Sequence, residues 1–143
     1  MRGRALFFVE PRAVQIRDVD VSEPEAGEVL IRTAFSGISG GTEMLAYRGE
    51  LDADMPRDET LGSLGGTFRY PFAYGYAAAG TVERSRGALP EGADVLAFHP
   101  HQDRFVVAGQ QGAHVALDVG VNDLQGHGRL PVGSAGIVVQ SFR

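Results

Sequence analysis

The nine residues from Tyr74 to Val82 constrain the fold of this polypeptide most strongly. They read Tyr-Gly-Tyr-Ala-Ala-Ala-Gly-Thr-Val, in which small apolar residues lie between two glycines. This composition suits a buried strand that is entered through a tight turn. Twenty glycines and seven prolines divide the whole sequence of 143 residues into short segments. Glycines and prolines at such frequent intervals favour β structure with many turns.

Alternating and compact apolar runs predict the individual strands. The expected strands are Ala5–Val9, Val14–Val19, Glu28–Phe35, Phe72–Val82, Asp94–Phe98 and Arg104–Ala108, with further short ones at His114–Asp118 and Ile137–Val139. A short helix is expected after Gly41, where Thr42 can cap the first turn and Gly49 can end the last. The polar, glycine-bearing stretch from Leu51 to Arg69 is predicted to be a long loop excursion.

Charge and composition exclude several classes of function. The net charge of −5 argues against a nucleic-acid-binding surface. The sequence has no cysteine, which excludes disulfides, thiolate zinc sites and a cysteine nucleophile. No apolar run approaches the roughly 18 residues of a membrane helix, and Ala5–Val9 is too short for a signal peptide. We therefore expect a cytoplasmic protein with no membrane partner and a single domain over residues 1–143.

Three segments, in order, resemble the N-terminal catalytic domain of medium-chain, zinc-type alcohol dehydrogenases, which shares the fold of the GroES co-chaperonin. The segments are Pro24–Arg32 with Ser36–Gly40, Pro71–Val82, and Leu89–Phe98 with Arg104–Val107. The resemblance covers about residues 4–110 and leaves 110–143 as an atypical tail. It implies a mainly-β, GroES-like, partly open barrel with one or two short helices.

A zinc-free subset of this family carries a motif like Gly37-Ile38-Ser39-x-Gly41-Thr42-Glu43, which is present here. The segment from Phe98 to Val107 is also similar to that subset, in which one relative acts on a bacteriochlorophyll precursor. The resemblance to the subset implies dehydrogenase-like chemistry without zinc.

The positions that hold catalytic zinc in the family carry other residues in this sequence. Ser39 stands where the family has a cysteine, and Tyr76 and Ala77 stand where it has a histidine and a glutamate. Serine and tyrosine are poor zinc ligands because neither is readily deprotonated at neutral pH, so we expect no metal at this place. The family's NAD(P)-binding domain would follow the third segment, but the tail contains no G-x-G-x-x-G unit. We therefore expect no cofactor for this chain alone.

Seven polar residues are candidates for a functional site. The predicted catalytic residues are Ser39, Thr42, Tyr76 and His99, and the predicted substrate-binding residues are Glu43, Tyr47 and His101. Each type also has a structural alternative: a turn serine, a helix cap, a first-turn carboxylate or a packed tyrosine. His99, His101 and Asp103 alternate, so an extended chain would project them to one face about 7 Å apart. That face would serve acid–base chemistry, a metal ion or only a polar strand edge.

Three functions stay open on these grounds. The first is a stand-alone domain that binds a small organic substrate and catalyses cofactor-independent proton transfer, dehydration or cyclisation. The second is a truncated or split zinc-independent NAD(P)-dependent oxidoreductase. The third is a non-catalytic module, in which a homodimer or a partner subunit covers the face that meets the cofactor domain in the family.

Overall fold

The computed structural model describes residues 1–58, 65–108, 113–115 and 137–141. One helix, α1 (Thr42–Arg48), lies within these ranges. The strands are β1 (Arg2–Glu10), β2 (Ala13–Asp20), β3 (Glu28–Ser39), β4 (Phe72–Ala73), β5 (Ala78–Ser85), β6 (Asp94–Ala97), β7 (Arg104–Ala108), β8 (Ala113–Val115) and β9 (Ile137–Ser141). The expected mainly-β fold with a short helix is confirmed.

The strands form two antiparallel sheets. The smaller sheet has the order β2-β1-β4, and the larger has the order β7-β3-β5-β6-β8, with β9 also paired to β3. A single bridge between Ala5 and Gln102 links β1 to the segment that precedes β7. The described strands therefore make two connected sheets and not one closed barrel.

Two hydrophobic clusters form the core. The aliphatic cluster lies within the larger sheet and consists of Val29, Ile31, Ala78, Val82, Val95, Ala97, Phe105 and Val107. The aromatic cluster lies between the smaller sheet and α1 and consists of Leu6, Phe8, Ala46, Phe68, Phe72 and Tyr74. In the aromatic cluster, Phe72 stacks on Phe8 with 5.2 Å between ring centroids and meets Phe68 edge-on at 5.5 Å. This cluster fixes α1 against the turn between β4 and β5.

The single predicted strand Phe72–Val82 is wrong, because the structure divides it into β4 and β5. Gly75 lies between them with φ of +132°, a backbone conformation that glycine adopts readily and other residues rarely do. The chain therefore turns at Gly75, within a run of small apolar residues that the sequence pattern predicts to be one continuous strand.

The ends of α1 agree with the sequence in part. Gly49 ends the helix with φ of +72°, and its N–H group donates to the carbonyl of Ala46 at 3.2 Å, as expected for a C-terminal glycine. The prediction that Thr42 caps the helix is wrong. Gly41 is the N-cap, and no side chain makes a capping hydrogen bond there. Within the described residues, no helix is long and apolar enough to cross a membrane.

Strand β3 is longer than predicted and organises the larger sheet. It extends through Gly37 to Ser39. Its N-terminal part, residues 28–32, pairs with β7, and its C-terminal part, residues 35–39, pairs with β9. Between those two partners, Thr33 Oγ1 donates to the carbonyl of Gln102 at 2.6 Å, and Thr33 N donates to the carbonyl of Asp103 at 2.9 Å. These bonds bring the segment before β7 against the middle of β3.

The tail and the long excursion are described in part. Strands β8 and β9 confirm the two short strands expected in the tail, although β8 begins and ends earlier than predicted. Residues 59–64 of the predicted excursion lie outside the described residues, as do 116–136 of the tail.

Candidate functional site

A buried serine, histidine and glutamate are joined by two hydrogen bonds. Ser36 Oγ lies 2.6 Å from His101 Nδ1, and His101 Nε2 lies 2.8 Å from Glu43 Oε2. Each of the three residues is 1% exposed. We call Ser36, His101 and Glu43 the buried triad. Because a buried polar group costs free energy unless it is paired, these bonds hold together β3, α1 and the segment before β7.

For an ionised Glu43 and a neutral His101, the chemistry of the groups fixes the direction of these hydrogen bonds. When Glu43 is ionised, it can only accept, so the Nε2–H group of a neutral His101 donates to Oε2. The other ring nitrogen, Nδ1, then carries no proton and accepts the hydroxyl of Ser36. The second carboxylate oxygen, Glu43 Oε1, is buried and has no hydrogen-bond partner among the residues that the structure describes. Oε1 is therefore the unpaired end of the triad.

Main-chain hydrogen bonds position the imidazole of His101. The N–H group of Leu6 in β1 donates to the His101 carbonyl at 2.9 Å, and the N–H group of His101 lies 3.4 Å from the Tyr74 carbonyl. Ser36 is held in register by its pairing with Ala78 of β5. Main-chain pairing therefore fixes the backbone of both Ser36 and His101, independently of the hydrogen bond between their side chains.

Gly75 makes room for the histidine ring. A Cβ atom at this residue would lie 2.7 Å from His101 Nε2, 2.8 Å from Cε1 and 2.9 Å from Cδ2. Contacts under 3.0 Å are not tolerated without a shift of one group. The imidazole consequently lies against the backbone of the turn that leads into Tyr76.

Two tyrosines flank Gly75 in the turn that covers the His101 ring. Tyr74 is buried, and the half-buried Tyr76 meets it edge-on with 6.0 Å between ring centroids. Burial raises the pKa of the Tyr74 phenol, and the charges of Tyr76 and Glu43 raise it further. The Tyr74 hydroxyl is thus protonated at neutral pH and is a hydrogen-bond donor.

The remaining predicted residues have simpler surroundings. Ser39 Oγ accepts the N–H group of Gly41 at 3.2 Å, which is a turn contact. Thr42 is half-buried at the start of α1. Tyr47, like Tyr76, packs on the aromatic cluster. Of the seven predicted residues, the structure joins Glu43 and His101 directly.

His99 lies in a packed, largely apolar place. Its ring stacks on Phe105, with 3.8 Å between centroids and an interplanar angle of 7°. Burial lowers the pKa of His99 to about 4, so the ring is neutral at pH 7. Its Nδ1 lies 3.1 Å from the carbonyl of Pro100, an acceptor, and therefore carries the ring proton.

His99, His101 and Asp103 do not form one site. They precede β7 and contact different partners: Phe105 for His99, Glu43 and Ser36 for His101, and Arg4 for Asp103. The expected common face is wrong because the segment is pinned to both β1 and β3 and is not a regular strand. In the described part of the chain, no group of three or more His, Asp or Glu could hold a metal ion.

The donor set at the family's zinc position does not fit zinc. Ser39 is occupied in its turn contact, Tyr76 packs on aromatic rings, and Ala77 has no donor atom. Zinc requires three protein ligands from His, Cys, Asp or Glu. These three residues therefore do not make a zinc site of the family's kind.

Ser36 was missed by sequence reasoning. Irregular pairing between β3 and β5 around Thr33 and Phe35 shifts the register, so alternation counted from Ile31 does not predict where Ser36 points. The available signal was a hydroxyl between Phe35 and Gly37 in a largely apolar strand, since a buried hydroxyl usually needs a partner.

Comparison with known proteins finds a curated relative and solved structures of similar fold. No family model matches the sequence. The chain is 35% identical over 82 residues to the 2-desacetyl-2-hydroxyethyl bacteriochlorophyllide A dehydrogenase of Cereibacter sphaeroides. This match covers 57% of the chain and 22% of the relative, so the chain corresponds to less than a quarter of that protein.

Solved structures share the fold at low sequence identity. D-arabinose dehydrogenase of Sulfolobus solfataricus superposes with a TM-score of 0.60 at 14% identity, covering 84% of this chain and 42% of that one. The human synaptic vesicle membrane protein VAT-1 homolog-like protein gives 0.59 at 17% identity, over 82% and 36% of the two chains. The quinone oxidoreductase of Coxiella burnetii gives 0.59 at 14% identity, over 82% and 38%.

These comparisons agree with the arrangement of strands and with the order of the three sequence segments. The chain therefore has a mainly-β, GroES-like fold, shared with these solved structures, and is similar in sequence to part of one dehydrogenase.

Proposed function

We propose that the chain binds a small organic substrate beside the Gly75–Tyr76 turn and transfers a proton to or from it without a metal ion. A single observation supports this proposal: a hydrogen-bonded His101–Glu43 pair lies directly beneath that turn. A paired carboxylate and imidazole are the commonest groups for general acid–base catalysis. The sequence resemblance also implies that Tyr76 and Ala77, in this turn, stand at positions of two metal ligands of the family.

Proton transfer is common to the two enzymatic interpretations. In the first, it is the whole reaction, as in dehydration or cyclisation, and the chain needs no cofactor. In the second, it accompanies hydride transfer, and NAD(P) would take part. The second interpretation draws support from the relative that is named a dehydrogenase and is 35% identical over 82 residues.

Ligand-observed NMR tests the binding part of the proposal. The unliganded chain would be screened against hydroxyketones, aldehydes, 2-hydroxy acids and cyclic alcohols, with NADPH as a separate ligand. We expect at least one oxygen-bearing compound to bind and NADPH not to bind. Saturable micromolar binding of NADPH by this chain would instead favour the oxidoreductase, and binding of neither class would refute both.

Paired tyrosine variants locate the binding site. Tyr76→Phe removes only a hydroxyl at the turn and is expected to weaken binding while it leaves the fold intact. Tyr70→Phe is the matched control, because the Tyr70 hydroxyl donates to the carbonyl of Ala46, within α1, at 2.6 Å. Equal binding by the two variants would place the substrate elsewhere.

The partner-binding interpretation stays a prediction for this chain. Strand β2 is an edge strand, and its Val14 and Ile16 are 45% and 53% exposed. Exposed edges and apolar side chains of this kind favour association. Sedimentation velocity over a range of concentrations measures whether a homodimer forms, and a monomer at every concentration would remove that part of the proposal. A cytoplasmic location likewise remains a prediction.

A further inference from the structure

We propose that Glu43 is the base of this site, that its Oε1 atom exchanges the proton with a substrate, and that Ser36 is a positioning residue for His101. The inferred substrate class is a small carbonyl compound with a C–H group next to the carbonyl. This inference rests on the proposed function and assigns roles within it.

The two oxygens of the Glu43 carboxylate have different surroundings. Oε2 faces His101 Nε2 at 2.8 Å, whereas Oε1 is buried without a partner in the described part of the chain. Buried polar atoms are nearly always hydrogen-bonded, so an unpaired carboxylate oxygen marks a place where a donor is expected. A substrate group that brings a transferable proton supplies that donor.

The imidazole supports the carboxylate and does not replace it as the base. Its Nε2–H group is directed at Oε2, and Nδ1 is occupied by the Ser36 hydroxyl at 2.6 Å. Both ring nitrogens are therefore engaged within the triad, and the ring is sealed by the backbone of Gly75. Oε1 is the carboxylate oxygen that the triad itself leaves unpaired among the described residues.

The tyrosine pair supplies the hydrogen-bond donor for the substrate's carbonyl oxygen in the proposed reaction. Tyr74 packs on the aromatic cluster, and the half-buried Tyr76 contacts it from the more exposed side. A phenol at the turn can donate a hydrogen bond to a substrate oxygen. We accordingly assign Tyr76 to the carbonyl oxygen and Glu43 to the neighbouring C–H group.

The proton balance closes without a co-reactant. The C–H bond breaks, its proton forms a bond to Glu43 Oε1, and its electron pair moves to the carbonyl oxygen to give an enolate. Tyr76 stabilises the charge on that oxygen through its hydrogen bond. Return of a proton from Oε1 to carbon regenerates the carboxylate, so that in D2O the substrate gains deuterium.

Histidine NMR tests the triad before any substrate is added. In uniformly ¹⁵N-labelled protein, we expect His101 to be the Nε2–H tautomer, with Nδ1 in the range of an unprotonated, hydrogen-bonded nitrogen. Ser36→Ala should shift the Nδ1 resonance and change the tautomer ratio. An Nδ1–H tautomer in the wild type, or no change in the Ser36 variant, would overturn the assignment of Ser36.

Deuterium exchange then tests the base. Hydroxyacetone and acetoin are the probes, and deuterium uptake at carbon is followed by proton NMR in D2O. Glu43→Gln keeps an acceptor for the Nε2–H group and removes the base, so we expect uptake to fall about 100-fold or more. Glu50→Gln is the control, since Glu50 is an exposed carboxylate beside Arg48, and it should exchange like the wild type.

The outcomes separate this inference from the proposed function. Probes that bind but exchange equally with the wild type and Glu43→Gln overturn the role of Glu43 and leave substrate binding in place. Probes that bind without any exchange overturn the substrate class. If Glu43→Gln does not fold, Ser36→Ala replaces it, and unchanged uptake and an unchanged pH profile in that variant would count against the triad as an acid–base unit.

Discussion

The imidazole of His101 occupies the space in which a side chain at Gly75 would begin, with Nε2 only 2.7 Å from the position of a Cβ atom. The same glycine has φ of +132°. The lack of space for a Cβ atom and the positive φ thus both require glycine at residue 75, and one substitution tests both.

We expect Gly75→Ala to destabilise the fold by at least about 2 kcal/mol, because backbone strain and overpacking each cost about 1–3 kcal/mol. Gly92→Ala is the matched control. Gly92 also has positive φ, of +85°, but nothing lies within 4 Å of its Cβ position, so only the backbone term applies. Urea denaturation of the two variants measures the difference. Equal losses would show that His101 does not fill the space beside Gly75.

The stability of the protein should fall in acid because of His99. Its pKa in the folded state is about 4, against about 6.5 in an unfolded chain, so between these values the unfolded state binds more protons. Stability is then lost as the pH falls from about 6.5 to about 4, by up to about 3 kcal/mol for this group. His99→Phe keeps the stack on Phe105 and removes the titration.

Urea unfolding at pH 7, 5.5 and 4.5 measures this contribution as the difference between the wild type and His99→Phe. The comparison isolates His99 from other groups that titrate in the same range. Parallel pH profiles for the two proteins would show that the ring is not held neutral by its packing.

Phe72 is expected to be a major contributor to stability. Its ring contacts Phe8, Phe68 and Tyr70, with centroids 5.0–5.5 Å away, and it is 3% exposed. Phe72→Ala should cost about 3–5 kcal/mol because it removes buried area and leaves a cavity. Leu96→Ala, at a residue 44% exposed, should change stability by less than about 0.5 kcal/mol. Thermal unfolding of both variants measures the two costs.

The Asp103 carboxylate should matter more than a typical surface acid. It accepts the backbone N–H group of Arg4 at 2.7 Å and also pairs with the Arg4 guanidinium at 3.2 Å. We expect Asp103→Ala to cost about 1–2 kcal/mol, chiefly through the lost backbone bond. Asp18→Ala removes an exposed pair with Arg2 and should be nearly neutral. Similar values in chemical denaturation would mean that the backbone bond contributes little.

The strands could be predicted from the sequence because alternation and glycine punctuation are local signals. Arg104–Ala108 agrees with the prediction at both ends, and Glu28 correctly begins β3. The turn at Gly75 could not be distinguished from a strand, because small apolar residues suit both. The need for glycine there comes from its positive φ and from His101, a residue distant in sequence.

The candidate site was predicted in part. Glu43 and His101 were predicted to bind substrate, but their mutual hydrogen bond depends on the tertiary fold and was not predicted. Ser36 was hidden by the register shift in β3. Asp103 was grouped with the histidines by alternation, a rule that fails where hydrogen bonds to two neighbouring strands bend the segment.

The buried triad has a consequence for folding. Its two hydrogen bonds join residues that are 65 and 58 positions apart in the sequence. Contacts between such distant residues form only after the intervening loops have closed. The resonance of a single imidazole, that of His101, should therefore appear at its native position only when β3, α1 and the segment before β7 have all assembled. A ring-nitrogen resonance of His101 therefore reports on the fully assembled native state, whereas probes of secondary structure report only on the formation of strands and the helix.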